Sequence, residues 1–169
     1  SKFCELTEEQ ITSYEDVFAE KIRKAAKMFQ PDIVHSHHLW LATAVARRVL
    51  PEMPLVTTCH STDLRQFMQC RDVRSRVLCH CRGIDRILSL GRDQTAKIAD
   101  LYGIKKNRID IVGGGFNPEL FSREDKPIPP PIQILYAGKL SYAKGVDLLL
   151  DSCMGLNTLP LHLHLAGSG

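Results

Sequence analysis

The sequence predicts an α/β protein built on a doubly wound parallel sheet. Three observations predict it. Short apolar, β-branched runs alternate with helically periodic segments at regular intervals from Tyr14 to Val112. Polar residues and glycines gather just after each run, where an open parallel sheet binds its ligands. A proline cluster, Pro127, Pro129, Pro130 and Pro131, then divides this alternation from a second, shorter β-α-β pattern.

The elements follow in order. Residues 1–12 read as an irregular lead-in. Ser13 is a fair N-cap, with Glu15 and Asp16 in the first turn, and Tyr14, Val17, Phe18, Ile22, Ala25 and Phe29 recur at helical spacing. That predicts an amphipathic helix over 14–29, ended by Pro31. A strand is expected over 32–37, a small-residue helix over 41–50 stopped at Pro51, and a strand over 55–59. A basic helix over 73–81, a strand over 86–90, a helix over 93–102 closed by Gly103, and a strand over 109–112 complete the first region. After the prolines, strands are expected over 134–137 and 161–166, with a helix from Val146 between them. The predicted division is a first domain over 1–118, a linker over 119–131 and a second domain over 132–169.

Composition bounds the function. A chain of 169 residues can bury one sizeable core, and 44% apolar with 24% charged residues is ordinary for a globular protein. A net charge of +3 gives no ground for a nucleic-acid partner. Six cysteines with no leader-like segment predict reduced thiols and a cytoplasmic setting. No run approaches the roughly 20 apolar residues of a membrane span. The chain opens at Ser1 and closes on Ala166-Gly167-Ser168-Gly169, which predicts a piece of a larger chain.

The most informative stretch is Gln133 to Asp147, Q-I-L-Y-A-G-K-L-S-Y-A-K-G-V-D. A buried strand ends at Gly138, a turn carries Lys139 and Lys144, and Gly145 opens a helix. Ammonium groups and free amides at a strand-to-helix turn favour an anion, such as a phosphate or diphosphate. The same residues also fit a solvated lysine turn with a glycine cap. The stretch resembles the G-R/K-L-x-x-x-K-G segment of retaining nucleotide-sugar glycosyltransferases of the glycogen-synthase-like type. These are the two-Rossmann-domain (GT-B) enzymes of family 4, or group 1. There the two basic residues hold the donor diphosphate; here they are Lys139 and Lys144, with Gly138 and Gly145 shaping the turn. Lysine at the first place, where arginine is commoner, keeps the charge but loses the bidentate fork.

Two further segments carry the resemblance. Thr58 to Asp63, T-C-H-S-T-D, is similar to the family's T-x-H-G/S-x-D segment, whose histidine lies against the donor sugar. Gly115 to Phe121 is similar to its G-x-D/N-x-x-x-F segment before the interdomain linker. The resemblance implies a Rossmann-like sheet within a two-domain architecture truncated at both ends. It gives His60 a catalytic orienting role, although an N-cap or core histidine fits the same position. His37, His38, Asp63, Gly91 and Gly114 are the expected acceptor-side cleft residues. His35, His37 and His60 together invite a zinc reading, but no fourth ligand has motif spacing, so no metal is expected. Cys70, Cys79, His80 and Cys81 read as helix-buried thiols. Arg71, Arg74, Arg76, Arg82 and Arg86 make a basic face, with peripheral contact to an anionic membrane as a minor reading.

The implied function is transfer of a hexose from a nucleotide-diphosphate sugar to a sugar, polysaccharide or lipid-linked acceptor, with retention and without a metal or other cofactor. The fragment alone is expected to be inactive. Another chain or its own missing segments are expected to cover the sheet edge at 32–37. A nucleotide-sugar epimerase of the same architecture and a non-catalytic nucleotide-binding module are the alternatives.

Overall fold

The computed structural model describes residues 3–122, 129–156 and 158–169. Residues 123–128 of the expected linker, Pro127 among them, lie outside the described residues. The chain divides into two compact units, Ser1–Phe116 and Asn117–Gly169.

The first unit is a four-stranded parallel sheet in the order β1-β2-β3-β4, with β1 Val34–His37, β2 Leu55–Thr58, β3 Arg86–Ser89 and β4 Ile109–Ile111. The helices are α1 Glu8–Phe29, α2 Leu41–Val49, α3 Ser61–Gln69, α4 Arg74–Cys81 and α5 Arg92–Tyr102. Parallel crossovers are nearly always right-handed, so three steps in one direction put their helices on one face. Side-chain burial agrees. Leu55, Thr57, Ile87 and Ile109 face the helices and are buried, whereas His35, His37, Arg86 and Asp110 of the alternate set are exposed. The parallel α/β, Rossmann-like class holds. The strand reversal that makes a sheet doubly wound is not among these four strands, and β1 is an edge.

Several local expectations change. The first helix begins at Glu8 rather than near Tyr14, because Thr7 caps it: Gln10 N donates to the Thr7 hydroxyl at 3.3 Å, and Thr7 N donates to Gln10 Oε1 at 2.9 Å. Its buried stripe is Ile11, Glu15 and Ala19, while Val17 and Phe29 are exposed. Glu15 tolerates burial because Arg76 Nη1 lies 2.7 Å from its carboxylate, with Arg48 beside it at 3.9 Å. Helix α3 has no counterpart in the sequence reading.

Of the arginines expected to form a solvated basic face, Arg71, Arg82 and Arg86 are exposed, but four of the five also make contacts within the fold. Arg74 donates to the carbonyls of Phe67 and Met68, and Arg82 to that of Tyr102. Arg76 pairs with Glu8 and Glu15, and Arg86 lies 3.7 Å from Asp110.

The cysteines differ too. Cys4 and Cys70 form a disulfide across 66 residues of sequence, a pairing visible only once α3 returns its C-terminus to the start of the chain. That bond departs from the expected reduced thiols at Cys4 and Cys70; Cys59, Cys79, Cys81 and Cys153 are free. Cys79 is exposed; Cys59 and Cys81 are buried, and burial pushes both thiols far up. No helix among the described residues is long and apolar enough to cross a membrane.

The second unit pairs β5 Ile132–Ala137 with β6 Leu161–Ala166 in parallel, joined through α6 Val146–Gly155. Of its described residues only Val146 is buried, and Leu135, Leu148 and Met154 are each about two-thirds exposed.

Candidate functional site

In the first unit the site is the end of the sheet where β1 and β2 stop. Leu39, just past β1, is clamped on both sides of its backbone. Its N–H donates to Asp63 Oδ2 at 2.6 Å, and its carbonyl accepts from the Tyr102 hydroxyl at 2.6 Å. Burial drives the Tyr102 phenol strongly upward, so it stays a donor. The same Asp63 oxygen accepts from His60 N at 3.0 Å. Asp63 therefore fastens the turn after β1 to the turn after β2. It is wholly buried, so its side chain does not face the cleft as expected; it supports residues that do.

That clamp brings three imidazoles together. His37 Nδ1 lies 3.2 Å from His60 Nε2, with the rings stacked at 5.5 Å. The His38 ring is 4.7 Å from that of His60, and Thr62 Oγ1 is 3.5 Å from His38 Nδ1. His60 occupies the N-cap position of α3 and is half-buried, so the capping and site readings coexist in one residue. The His35 ring is 4.7 Å from that of His37 and also hydrogen-bonds the Thr58 hydroxyl at 2.9 Å. No group of three or more His, Cys, Asp or Glu side chains among the described residues is placed to share an ion. Phe3, Tyr14, His37, His38, Trp40 and Thr62 line a pocket of about 210 Å³ beside the cluster. Imidazoles and hydroxyls over an aromatic wall can hydrogen-bond and pack against a polyhydroxylated ligand.

His38 has φ of 70°, left-handed backbone that a non-glycine residue adopts at a cost of about 1 kcal/mol. Its N–H still donates to the Thr58 carbonyl at 2.9 Å. Such backbone persists only where surrounding contacts hold it in place. It also supplies a clean variant: His38→Gly removes the ring while relieving the backbone. Its melting temperature should match or exceed that of the parent, and a drop of several degrees in calorimetry would contradict this account.

The expected glycines sit at the same edge. Gly91 precedes α5, and its carbonyl accepts from Thr95 N at 3.0 Å; Gly114 is exposed after β4. Neither has any atom within 4 Å of a would-be Cβ, so both leave open space.

In the second unit, the turn after β5 carries Lys139 and Lys144, both exposed. Gly145, at φ 70°, caps α6, and the Tyr136 hydroxyl donates to the Lys139 carbonyl at 2.8 Å. The turn is pressed against the loop after β6. Gly138 N donates to Ala166 O and Leu140 N to Ser168 O, each at 2.9 Å. A Cβ on Gly167 would overlap the Gly138 carbonyl. Asp147 in the first turn of α6 has a buried, unpartnered Oδ1, a negative neighbour for any anion bound there.

Sequence reasoning missed Phe3, Tyr14 and Tyr102. The first two lie in or beside the stretch read as a lead-in, and no local pattern marks the third.

The profile of Glycosyltransferase Family 4 matches residues 12–120, more than half of the chain. The chain belongs to glycosyltransferase family 4. Among curated proteins, this family 4 chain is 26% identical over 129 residues to a glycogen synthase of Mycobacterium tuberculosis, covering 71% of the chain and 31% of that protein. It is 24% identical over 154 residues to a D-inositol 3-phosphate glycosyltransferase of Streptosporangium roseum, covering 79% of the chain and 35% of that protein. The chain thus spans about a third of the length of these relatives.

Proposed function

We propose that the full-length protein is a glycosyltransferase. It moves a hexose from a nucleotide-diphosphate sugar to a sugar, polysaccharide or lipid-linked acceptor with retention and without a metal. Family membership and the relatives' names, a glycogen synthase and an inositol-phosphate glycosyltransferase, support the transfer reaction. The observation that carries the donor side is the turn after β5: two exposed lysines, Lys139 and Lys144, lie in the turn that leads into the glycine-capped N-terminus of α6. Together they would stabilise the negative charge that develops on a departing diphosphate, the work a cation does elsewhere. His60, hydrogen-bonded to His37, orients sugar hydroxyls rather than abstracting a proton. His37 and His38, with the open backbone at Gly91 and Gly114, border the acceptor. The exposed edge of β1 and the exposed apolar residues of the second unit are covered by further segments or by another chain.

Calorimetric titration of UDP-, GDP- and ADP-hexoses into the full-length protein tests the donor side. Lys144→Ala should weaken the preferred donor roughly tenfold to a hundredfold, the worth of one charged hydrogen bond to phosphate. Unchanged affinity would remove the lysine from the diphosphate and with it the donor assignment.

A further inference from the structure

The wall of the histidine pocket is not all supplied by the sheet. Phe3 packs edge-on against Tyr14 at 5.5 Å and against Trp40 at 6.0 Å, and all three line the pocket with His37 and His38. The next residue, Cys4, is exposed and bonded to the buried Cys70. Cys70 is the C-cap of α3, the helix whose N-cap is His60. One covalent bond therefore fastens an aromatic wall residue to the far end of the helix that carries the central histidine. Beneath that wall the Trp40 indole N–H is buried with no partner, an arrangement that favours opening once the wall is free to move.

We propose that the Cys4–Cys70 disulfide is a redox latch that holds Phe3 over Trp40, so that reduction by a dithiol opens the aromatic side of the histidine pocket. The reductant's thiolate attacks Cys4 Sγ, the accessible sulfur, and the S–S bond breaks with its electron pair on Cys70 Sγ, which takes a proton. The reductant's second thiol then displaces Cys4 and leaves as an intramolecular disulfide, so two electrons pass to the protein and both cysteines end as thiols. With the tether gone, Phe3 is retained by its ring contacts with Tyr14 and Trp40 and by the Leu6 N–H bond to its carbonyl at 3.3 Å, each a weak interaction. The consequence for catalysis, a wider acceptor side in the reduced state, rests on the transferase reading above. The latch itself does not.

Trp40 is the only tryptophan of the chain, so its fluorescence reports on this wall alone. Acrylamide quenching is measured on the full chain before and after dithiothreitol, with reduction scored by alkylation of Cys4 and Cys70. The quenching constant should rise about twofold or more on reduction, with the far-UV circular dichroism unchanged, the mark of a local opening. Cys4→Ser should show the high value without reductant. Phe3→Ala, which keeps the disulfide, should show it in both redox states. Unchanged quenching after both thiols are alkylated overturns the latch, as does a rise accompanied by loss of helical signal, or a Phe3→Ala protein that quenches like the parent. None of these readings involves a nucleotide sugar, and the Lys144→Ala titration involves no reductant, so either proposal can fail without the other.

Discussion

Asp63→Ala is expected to destabilise the first unit by about 2–5 kcal/mol, because it removes the acceptor of two backbone N–H donors, that of buried Leu39 and that of half-buried His60. The Leu39 and His60 amides both donate to Asp63 Oδ2, at 2.6 and 3.0 Å, and the aspartate is wholly buried. Asp63→Asn keeps one oxygen acceptor but loses the charge, so it should cost less, about 1–2 kcal/mol. Urea unfolding followed by Trp40 fluorescence measures both. The local effect is as informative as the global one. With Leu39 and His60 no longer held to one oxygen, the contact between His37 and His60 should loosen, and imidazole NMR signals of the two rings should change together in the asparagine variant. An alanine variant within 0.5 kcal/mol of the parent, about the scatter of a neutral surface substitution, would show that Asp63 is not the clamp.

Gly167→Ala is expected to cost the second unit about 2–4 kcal/mol and to disturb the turn that bears Lys139. A methyl group there overlaps the Gly138 carbonyl, which is backbone and can yield only by moving the whole turn. The bond from Gly138 N to Ala166 O, at 2.9 Å, and that from Leu140 N to Ser168 O extend the β5-β6 ladder past both strands. Displacing the turn breaks them. Hydrogen exchange at the Gly138 and Leu140 amides should accelerate in the variant, and donor affinity should fall, as is expected of Lys144→Ala. Gly155→Ala is the matched control. It lies at the end of α6 with no atom within 4 Å of a would-be Cβ, so it should be neutral or slightly stabilising. Equal protection of Gly138 and Leu140 in Gly167→Ala and the parent would mean the two loops are not braced on each other.

What could be read from residues alone was whatever rests on near neighbours. The strands at 34–37, 55–58, 86–89 and 132–137 announce themselves as short β-branched runs bounded by turn residues, because side-chain alternation and burial act within a few positions. The lysine turn, its capping glycine and the histidine after β2 are local for the same reason. Helix α3 escaped notice because its buried face, Leu64 and Phe67, is interrupted by polar residues, and its start rests on the Asp63 cap. The true start of α1 lay in a Thr7–Gln10 capping box outweighed by a plausible Ser13.

Other features belong to tertiary structure alone. Glu15 is buried because arginines on α2 and α4 meet it. Cys4 finds Cys70 because α3 ends beside the start of the chain. Asp63 is a buried clamp because the peptide N–H of Leu39, 24 residues away, donates to it. Each is a contact between distant segments that exists only once packing has excluded water. A one-dimensional pattern encodes which side chains favour burial, and it is the packed interior that decides which charge, thiol or amide meets which.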